Sequence, residues 1–592
     1  MIKYDTLVNI LDEIISNANF NLDLYLPERG KVDIENARSR ALIQFFLKSN
    51  FGVLGFEERE SLITDGSGDG GLDAYFFDDN KNKIYFIQSK FRNNAKNYGI
   101  KSIKNEELWK MDIERIVKGE THDVKGDIYN KKVLNFQKEL AKRKSTKISY
   151  ENVIVIIANV TESQKDNIIT SHFPKKWNIQ IFDYKEVYNK LLFPYVTNSF
   201  FNEDKLCIDM LLPHKDKNPT SYDVNTEHGK CKIHVLFIPT KEIAKVFYKY
   251  KNSILKHNPR SYLGMKKEGV NKGIENSILN KKTNDFVLLN NGITMISTDA
   301  VFDDEVGRKG IAQITITNPQ VINGGQTCFT LSEIYERMLN NEVPEDSFKD
   351  KEVLLKIIVQ NNEDIYNKIT SDVSLSTNSQ SPIDSADLKA NHIFQINLQN
   401  YIFESYGLFY ERKRGEFFTS LKNSFIKKGD IINRKDFIRM AYSSNFPNIK
   451  KNPKNMSADI IFSDPIFDTI ADQNKYDKFI LSYLVFKEVQ KYTRNGRKKE
   501  NDWFFEKYGY ALRYGDIGVI ITTAYMLNST NFTKKHIKDE VQKTLDKWKD
   551  FETFSFSKEE NVKYFNKSLK ENNPASYYKS DNLIDDLIDY FT

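Results

Sequence analysis

An aspartate at the end of a glycine-rich turn, with a glutamine and a lysine fifteen residues and more beyond it, forms the one group here suited to joint chemistry. The turn is DGSGDGGLDA, residues 65 to 74, four glycines around three aspartates, and Asp73 is its last acid. Gln88 and Lys90 follow in IYFIQSKF, at positions i and i+2 of a β-rich run, so both project from one sheet face. Phosphodiester hydrolysis needs a hard cation to neutralise developing charge and activate water. Asp73 supplies an anionic oxygen ligand. Gln88 adds a neutral carbonyl ligand or orients the attacking water, and Lys90 holds that water or stabilises the charge of the transition state. A further acid would help hold magnesium, or manganese in its place, and Glu35 is the first choice. Asp33 lies equally close, and Glu57, Glu58 and Glu60 also precede the turn. Asp69 reads as a turn former.

The elements that must position this group follow from local pattern. IENARSRALIQFFLK, residues 34 to 48, repeats apolar residues at helical spacing through Ile34, Ala37, Ala41 and Phe45. LDAYFF and IYFIQSKF flank the polar turn DDNKNK, which predicts a hairpin that brings Asp73 beside Gln88 and Lys90. NVIVIIANV reads as a buried strand, SQKDNIITSHF as a helix and IQIFDY as another strand. The alternation predicts a mixed α/β domain over residues 1 to 200.

A second, α+β unit is expected over 205 to 480, with strands in CKIHVLFIPT, DFVLLNNGITMIST and AQITITNPQVI, and a mostly helical region over 481 to 592. Its polar stretches are rich in Asn and Gln, which carry both donors and acceptors. INGGQT predicts a strand-to-helix turn in which Asn323, Gly324, Gly325 and Gln326 present backbone N–H groups to a phosphate. Asn378 and Gln380 read as partners for buried backbone groups. Arg412, Lys413 and Arg414 read as a surface for nucleic-acid phosphates, with Glu411 orienting one arginine. KYTRNGRKKE, residues 491 to 500, reads as a solvated loop.

Composition restricts the classes. Hydrophobic residues at 40% and charged residues at 28% are those of a globular protein, and 592 residues exceed one core. The net charge of +6 is small for this length, so nucleic-acid binding would rest on a local basic surface. Three widely spaced cysteines predict reduced thiols, not a zinc knuckle or a disulfide framework. The acidic, amphipathic start is unlike a signal peptide, and GVIITTAYML is too short to span a bilayer, so the expectation is a cytoplasmic protein away from membranes. No GxxxxGK[ST] loop is present, which argues against ATP-driven translocation within this chain.

Asp73 in GDGGLDA with Gln88 and Lys90 in IQSK resembles the PD-(D/E)xK nuclease superfamily, especially its Mrr-type restriction branch, in which Gln often replaces the acid of the ExK element. That resemblance implies a restriction-endonuclease-like mixed sheet flanked by helices, a magnesium cofactor and a glutamate from the helix before the first strand, which points to Glu35. The ordered series NPRSYLGMKKEGVNKGI, NNGIT, NPQVINGGQT, TNSQSPIDSADLKAN and YERKRGE, spanning about 230 to 420, resembles the abortive-infection phage-resistance family, abbreviated AIPR. That resemblance implies antiviral defence. Together the two imply a metal-dependent endonuclease acting on nucleic acid, DNA first of all. The second unit would then serve recognition, homodimerisation or activation by a phage-derived trigger. The alternative is a nucleic-acid-binding or phage-sensing defence protein with a degenerate nuclease fold.

Overall fold

A computed structural model describes residues 2–18, 23–27, 33–145, 148–169, 172–211, 220–258, 270–280, 282–378, 384–498, 502–527, 532–565 and 574–592. Two compact units emerge, Met1–Thr377 with Gly415–Lys428, and Asn378–Arg414 with Gly429–Thr592.

In the first unit the hairpin forms where the alternating pattern places it. Strands β1 (Ala74–Asp78) and β2 (Lys83–Ser89) pair antiparallel in the register Ala74↔Ile87 to Asp78↔Lys83. β3 (Glu151–Ile157) and β4 (Asn178–Ile181) then add in parallel, giving the order β1-β2-β3-β4. Period-two alternation gives this sheet two buried faces. On one face Tyr75, Phe77, Ile84 and Phe86 share a core with Phe136 of helix Lys131–Lys144. On the other, helix Ile34–Phe51 sets Phe51 on Phe76 and Tyr85, at ring separations of 4.2 and 4.6 Å. In that helix Ala37, Ala41 and Phe45 are buried as their spacing predicts, whereas Ile34 is exposed.

The rest of the first unit is built on two sheets. β5 (Lys205–Leu211), β9 (Asp299–Asp303) and β10 (Ile311–Thr317) form one, in the order β5-β10-β9. The other runs β11-β8-β12-β7-β6, from β6 (Thr220–Thr226), β7 (Gly229–Pro239), β8 (Ile293–Ser297), β11 (Gln320–Asn323) and β12 (Glu352–Val359). The strand expected over DFVLLNNGITMIST is shorter than predicted. Phe286–Leu289 is a single helical turn, because Asn290 then turns the chain with its Oδ1 accepting from the Gly292 N–H at 2.9 Å.

The second unit is mostly helical, and one hydrophobic core runs through it from Ala386 to Phe591. No core boundary falls at 480, contrary to the domain limit expected from the sequence. Helix Tyr476–Lys498 also carries the first eight residues of the expected loop KYTRNGRKKE, and the last two lie outside the described residues. The apolar stretch GVIITTAYML belongs to helix Asp516–Leu527 in this core. Among the described residues, no helix is long and apolar enough to cross a membrane.

Beside Trp548, Tyr577 and Tyr578 in that core sits Glu552, which accepts the Tyr578 hydroxyl and, at 2.8 Å, the Tyr510 N–H. Burial pushes its carboxyl up from 4.5 to about 7. The fold therefore favours the protonated form, and that contribution to stability is fully present below the unfolded value and lost as pH rises through about 7. Glu552→Gln keeps the shape and removes the titration. Relative to wild type, the variant should gain about 2–3 kcal/mol of stability between pH 5 and pH 8. Thermal or urea unfolding at both values reads this directly, and a constant difference between the two proteins would contradict it.

Candidate active site

The glycine-rich turn is held from both sides. Thr64 and Asp65 N–H groups donate to the Asp73 carbonyl at 2.9 and 3.0 Å, closing the turn on itself. Asp69 accepts from Gly66 N at 3.0 Å and Gly71 N at 2.8 Å, which is the turn-forming role its sequence context predicts. Gly71 has φ +70°, and a Cβ there would stand 2.5 Å from the Lys110 carbonyl oxygen. Both the conformation and the close approach require glycine.

At the open end of the hairpin Asp73 brackets Gln88. Its N–H donates to the Ile87 carbonyl at 3.0 Å, and its Oδ2 accepts from the Ser89 N–H at 2.7 Å. Asp73 is 8% exposed and Gln88 is 9% exposed. Burial, reinforced by the Asp65 carboxylate, pushes the Asp73 carboxyl well above the usual range, against the Ser89 hydrogen bond and the Lys90 charge. The Gln88 Oε1 is buried and accepts no hydrogen bond from the described residues. An amide oxygen left so costs about 1–3 kcal/mol. Lys90 continues the ladder, its N–H donating to the Ile157 carbonyl at 3.0 Å, and alternation sets it on the same face as Gln88. Its ammonium lies 2.7 Å from Glu107 Oε1 on helix Asn105–Trp109. Although burial acts upward on the Glu107 carboxyl, the bond to Lys90 and the lysine's charge hold it below the usual range.

The acids nearest Asp73 come from the turn. One carboxylate oxygen each from Asp65, Asp69 and Asp73 lie within 4.8 Å of one another. Glu35 is not in that group. It sits half-buried in the first turn of helix Ile34–Phe51, which covers the opposite face of the sheet. The same helix contributes Arg40 instead. Its guanidinium bonds Glu60, and it reaches Asp65 Oδ2 at 3.3 Å. Glu60 also takes the Tyr25 hydroxyl at 2.7 Å, Gln44 Nε2 at 3.2 Å and Lys132 Nζ at 3.2 Å, so it is spent within the core. Glu57 and Glu58 are exposed, and Asp33 caps the helix by accepting the Asn36 N–H at 2.8 Å. Sequence reasoning thus misses Asp65, Arg40 and Glu107. An arginine beside the apolar face of Ala37 and Ala41 does signal a buried acid, but nothing in KNEELW singles out Glu107.

INGGQT is the expected strand-to-helix turn. Asn323 ends β11, Gly324 has φ 88°, and helix Gly325–Leu339 follows. A Cβ on Gly324 would meet the Gly292 carbonyl oxygen at 2.9 Å, so this motif and NNGIT pack backbone against backbone. Asn290 Nδ2 donates to Thr327 Oγ1 at 3.0 Å across the same junction. The Asn323 side chain turns back to the Gly324 N–H at 2.8 Å, and Gln326 accepts from Asn271 at 3.3 Å. These side chains serve the junction.

In the second unit the basic run is not the open phosphate surface expected from its charge. Arg412 donates to the Ala390 carbonyl at 2.7 Å, Asn391 Oδ1 at 2.9 Å and Gln399 Oε1 at 3.2 Å. Lys413 is 5% exposed, and only Arg414 stands in solvent. Arg434, 6% exposed, bonds the Arg412 carbonyl at 2.8 Å and the carboxylate of Asp387. Asp384 accepts the Asp387 N–H at 2.9 Å and pairs with Lys435 at 2.8 Å. SADLKAN and YERKR are therefore tied into one internal network. Gln380 and most of NPRSYLGMKKEG lie outside the described residues, and Asn378 ends helix Glu363–Asn378.

A family model described as AIPR protein matches residues 255–579, reaching well past the motifs that end near 420 and through the helical region. No curated protein and no solved structure matches the chain.

Proposed function

The chain belongs to the AIPR protein family, and from that premise we propose an antiphage defence protein whose first α/β sheet hydrolyses phosphodiester bonds with a divalent cation, magnesium or manganese. DNA is the first-choice substrate. The observation that carries this reading is the Gln88 Oε1, nine-tenths buried and without a partner among the described residues, beside a carboxylate held between Ile87 and Ser89. Oxygen donors alone, three carboxylates and one amide, suit a hard cation. An antiparallel hairpin followed by two parallel strands supports likeness to the PD-(D/E)xK core.

A bound cation would supply charge neutralisation at the phosphate and lower the pKa of water. Asp73 and Gln88 would hold it, with Asp65 or Asp69 completing the oxygen set in place of Glu35. Lys90 contributes a positive charge on the same face, orienting the attacking water or stabilising the charge that develops on phosphate oxygens. Glu107 keeps that ammonium in place. Residues 255–579 serve recognition, homodimerisation or activation by a phage-derived trigger.

A binding or sensing protein is the second reading, favoured by the Lys90 ammonium being already engaged by Glu107. Gln88→Glu separates the two. An added anionic ligand should lower the magnesium concentration for half-maximal cleavage by about tenfold, because ligand charge sets affinity at such sites. A magnesium titration of cleavage measures it, and an unchanged midpoint would remove Gln88 from the cation site.

A further inference from the structure

Helix Asn105–Trp109 links the two halves of the site. Its Glu107 holds Lys90 at 2.7 Å. Just beyond it, the Lys110 backbone is the surface against which Gly71 packs, and the Asp112 N–H donates to the Gly70 carbonyl at 2.8 Å. Trp109 stands between these anchors and is 57% exposed, while its neighbour Leu108 is fully buried. Lone exposed apolar side chains are ordinary. This one differs in being fixed on either side by contacts of the site itself, and in its surroundings. From 90 to 110 there are six Lys and Arg residues against two acids, Glu106 and Glu107. Lys96, Lys101, Lys104 and Lys110 are all exposed.

We propose that Trp109 is a stacking platform for an unpaired base of single-stranded nucleic acid, whose backbone these four lysines draw toward Asp73 and Lys90. An indole face takes any base, which suits binding without sequence preference, and lysines along the strand supply the electrostatic attraction. A duplex keeps its base faces within its own stack and cannot use the ring in this way. The inference deepens the hydrolase reading by naming its substrate class, yet it concerns binding alone and is tested without cleavage.

The test is fluorescence anisotropy of labelled thymidine and uridine 20-mers and a duplex of equal length, with the full chain in EDTA. Wild type is expected to bind single strands more tightly than duplex, and the two sugars separate a DNA from an RNA preference. Trp109→Ala should weaken single-strand binding by roughly 5- to 150-fold, the range for losing one stacked base. Trp109→Phe should retain most of the affinity, and duplex binding should be the same in all three proteins. Equal affinity for duplex and single strands, or unchanged single-strand affinity in Trp109→Ala, would overturn the proposal. If Trp109 behaves as expected but wild type never cleaves in magnesium, the hydrolase reading fails and this one stands.

Discussion

Asp73→Asn is expected to reduce cleavage by more than about a thousandfold, beyond the ten- to hundredfold typical of losing an outer partner of a metal ligand. The amide oxygen still accepts the Ser89 N–H, so the hairpin keeps its end, but the anionic ligand is gone. The same change should leave the cation-free protein as stable as wild type or more so. Asp73 is buried, with Asp65 and Asp69 close by, and burial followed by the Asp65 charge already pushes its carboxyl well above the usual range. Removing a charge that the fold disfavours relieves repulsion. The expected pair of results, activity lost and thermal stability kept, is that of a site organised for a ligand at some cost to the scaffold. Cleavage within tenfold of wild type would remove Asp73 from the chemistry, and unfolding of the variant would make its role structural.

The second large effect lies far from that chemistry in sequence. Arg434→Leu should destabilise the second unit by about 3–5 kcal/mol, the range for breaking a buried ion pair by removing one member. Asp387 is 1% exposed, and its carboxylate bonds the Arg434 guanidinium. Arg434 also bonds the Arg412 carbonyl, so the loss reaches YERKR as well as SADLKAN. Arg434→Leu combined with Asp387→Leu should recover much of the loss, because both members of the pair are then removed together. Urea unfolding of the single and double variants decides the matter. A single variant within 1 kcal/mol of wild type, where exposed pairs fall at roughly 0–1 kcal/mol, would show this network to be weak.

How much of this can be read from the sequence depends on how local each signal is. The hairpin is legible because alternation on both sides of DDNKNK and the glycine-rich turn are short-range features, and they suffice to bring Asp73 to Ile87 and Ser89. Helical spacing gives Glu35 a face but not the side of the sheet that its helix covers. Phe51 against Phe76 and Tyr85 settles that. Arg412 and Lys413 mislead because a basic run has the same letters whether it faces water or is buried, and the partners of Arg412 lie 13 to 22 residues away at Gln399 and Ala390. The limit placed at 480 fails for a related reason. Tyr577, Trp548 and Ile520 pack in the same core as Tyr410 and Phe437, and long-range packing leaves no mark at the boundary between two helical stretches.

The central claim is that the Asp73, Gln88 and Lys90 group cuts nucleic acid, and one reaction tests it most directly. End-labelled DNA and RNA strands are incubated with the full-length wild-type chain in magnesium or in EDTA, with Asp73→Asn as the blank, and the products are resolved by length. Shortened strands accumulating only with wild type and only in magnesium are the expected result. Strands left intact by wild type in magnesium, or cut equally by Asp73→Asn, would contradict it.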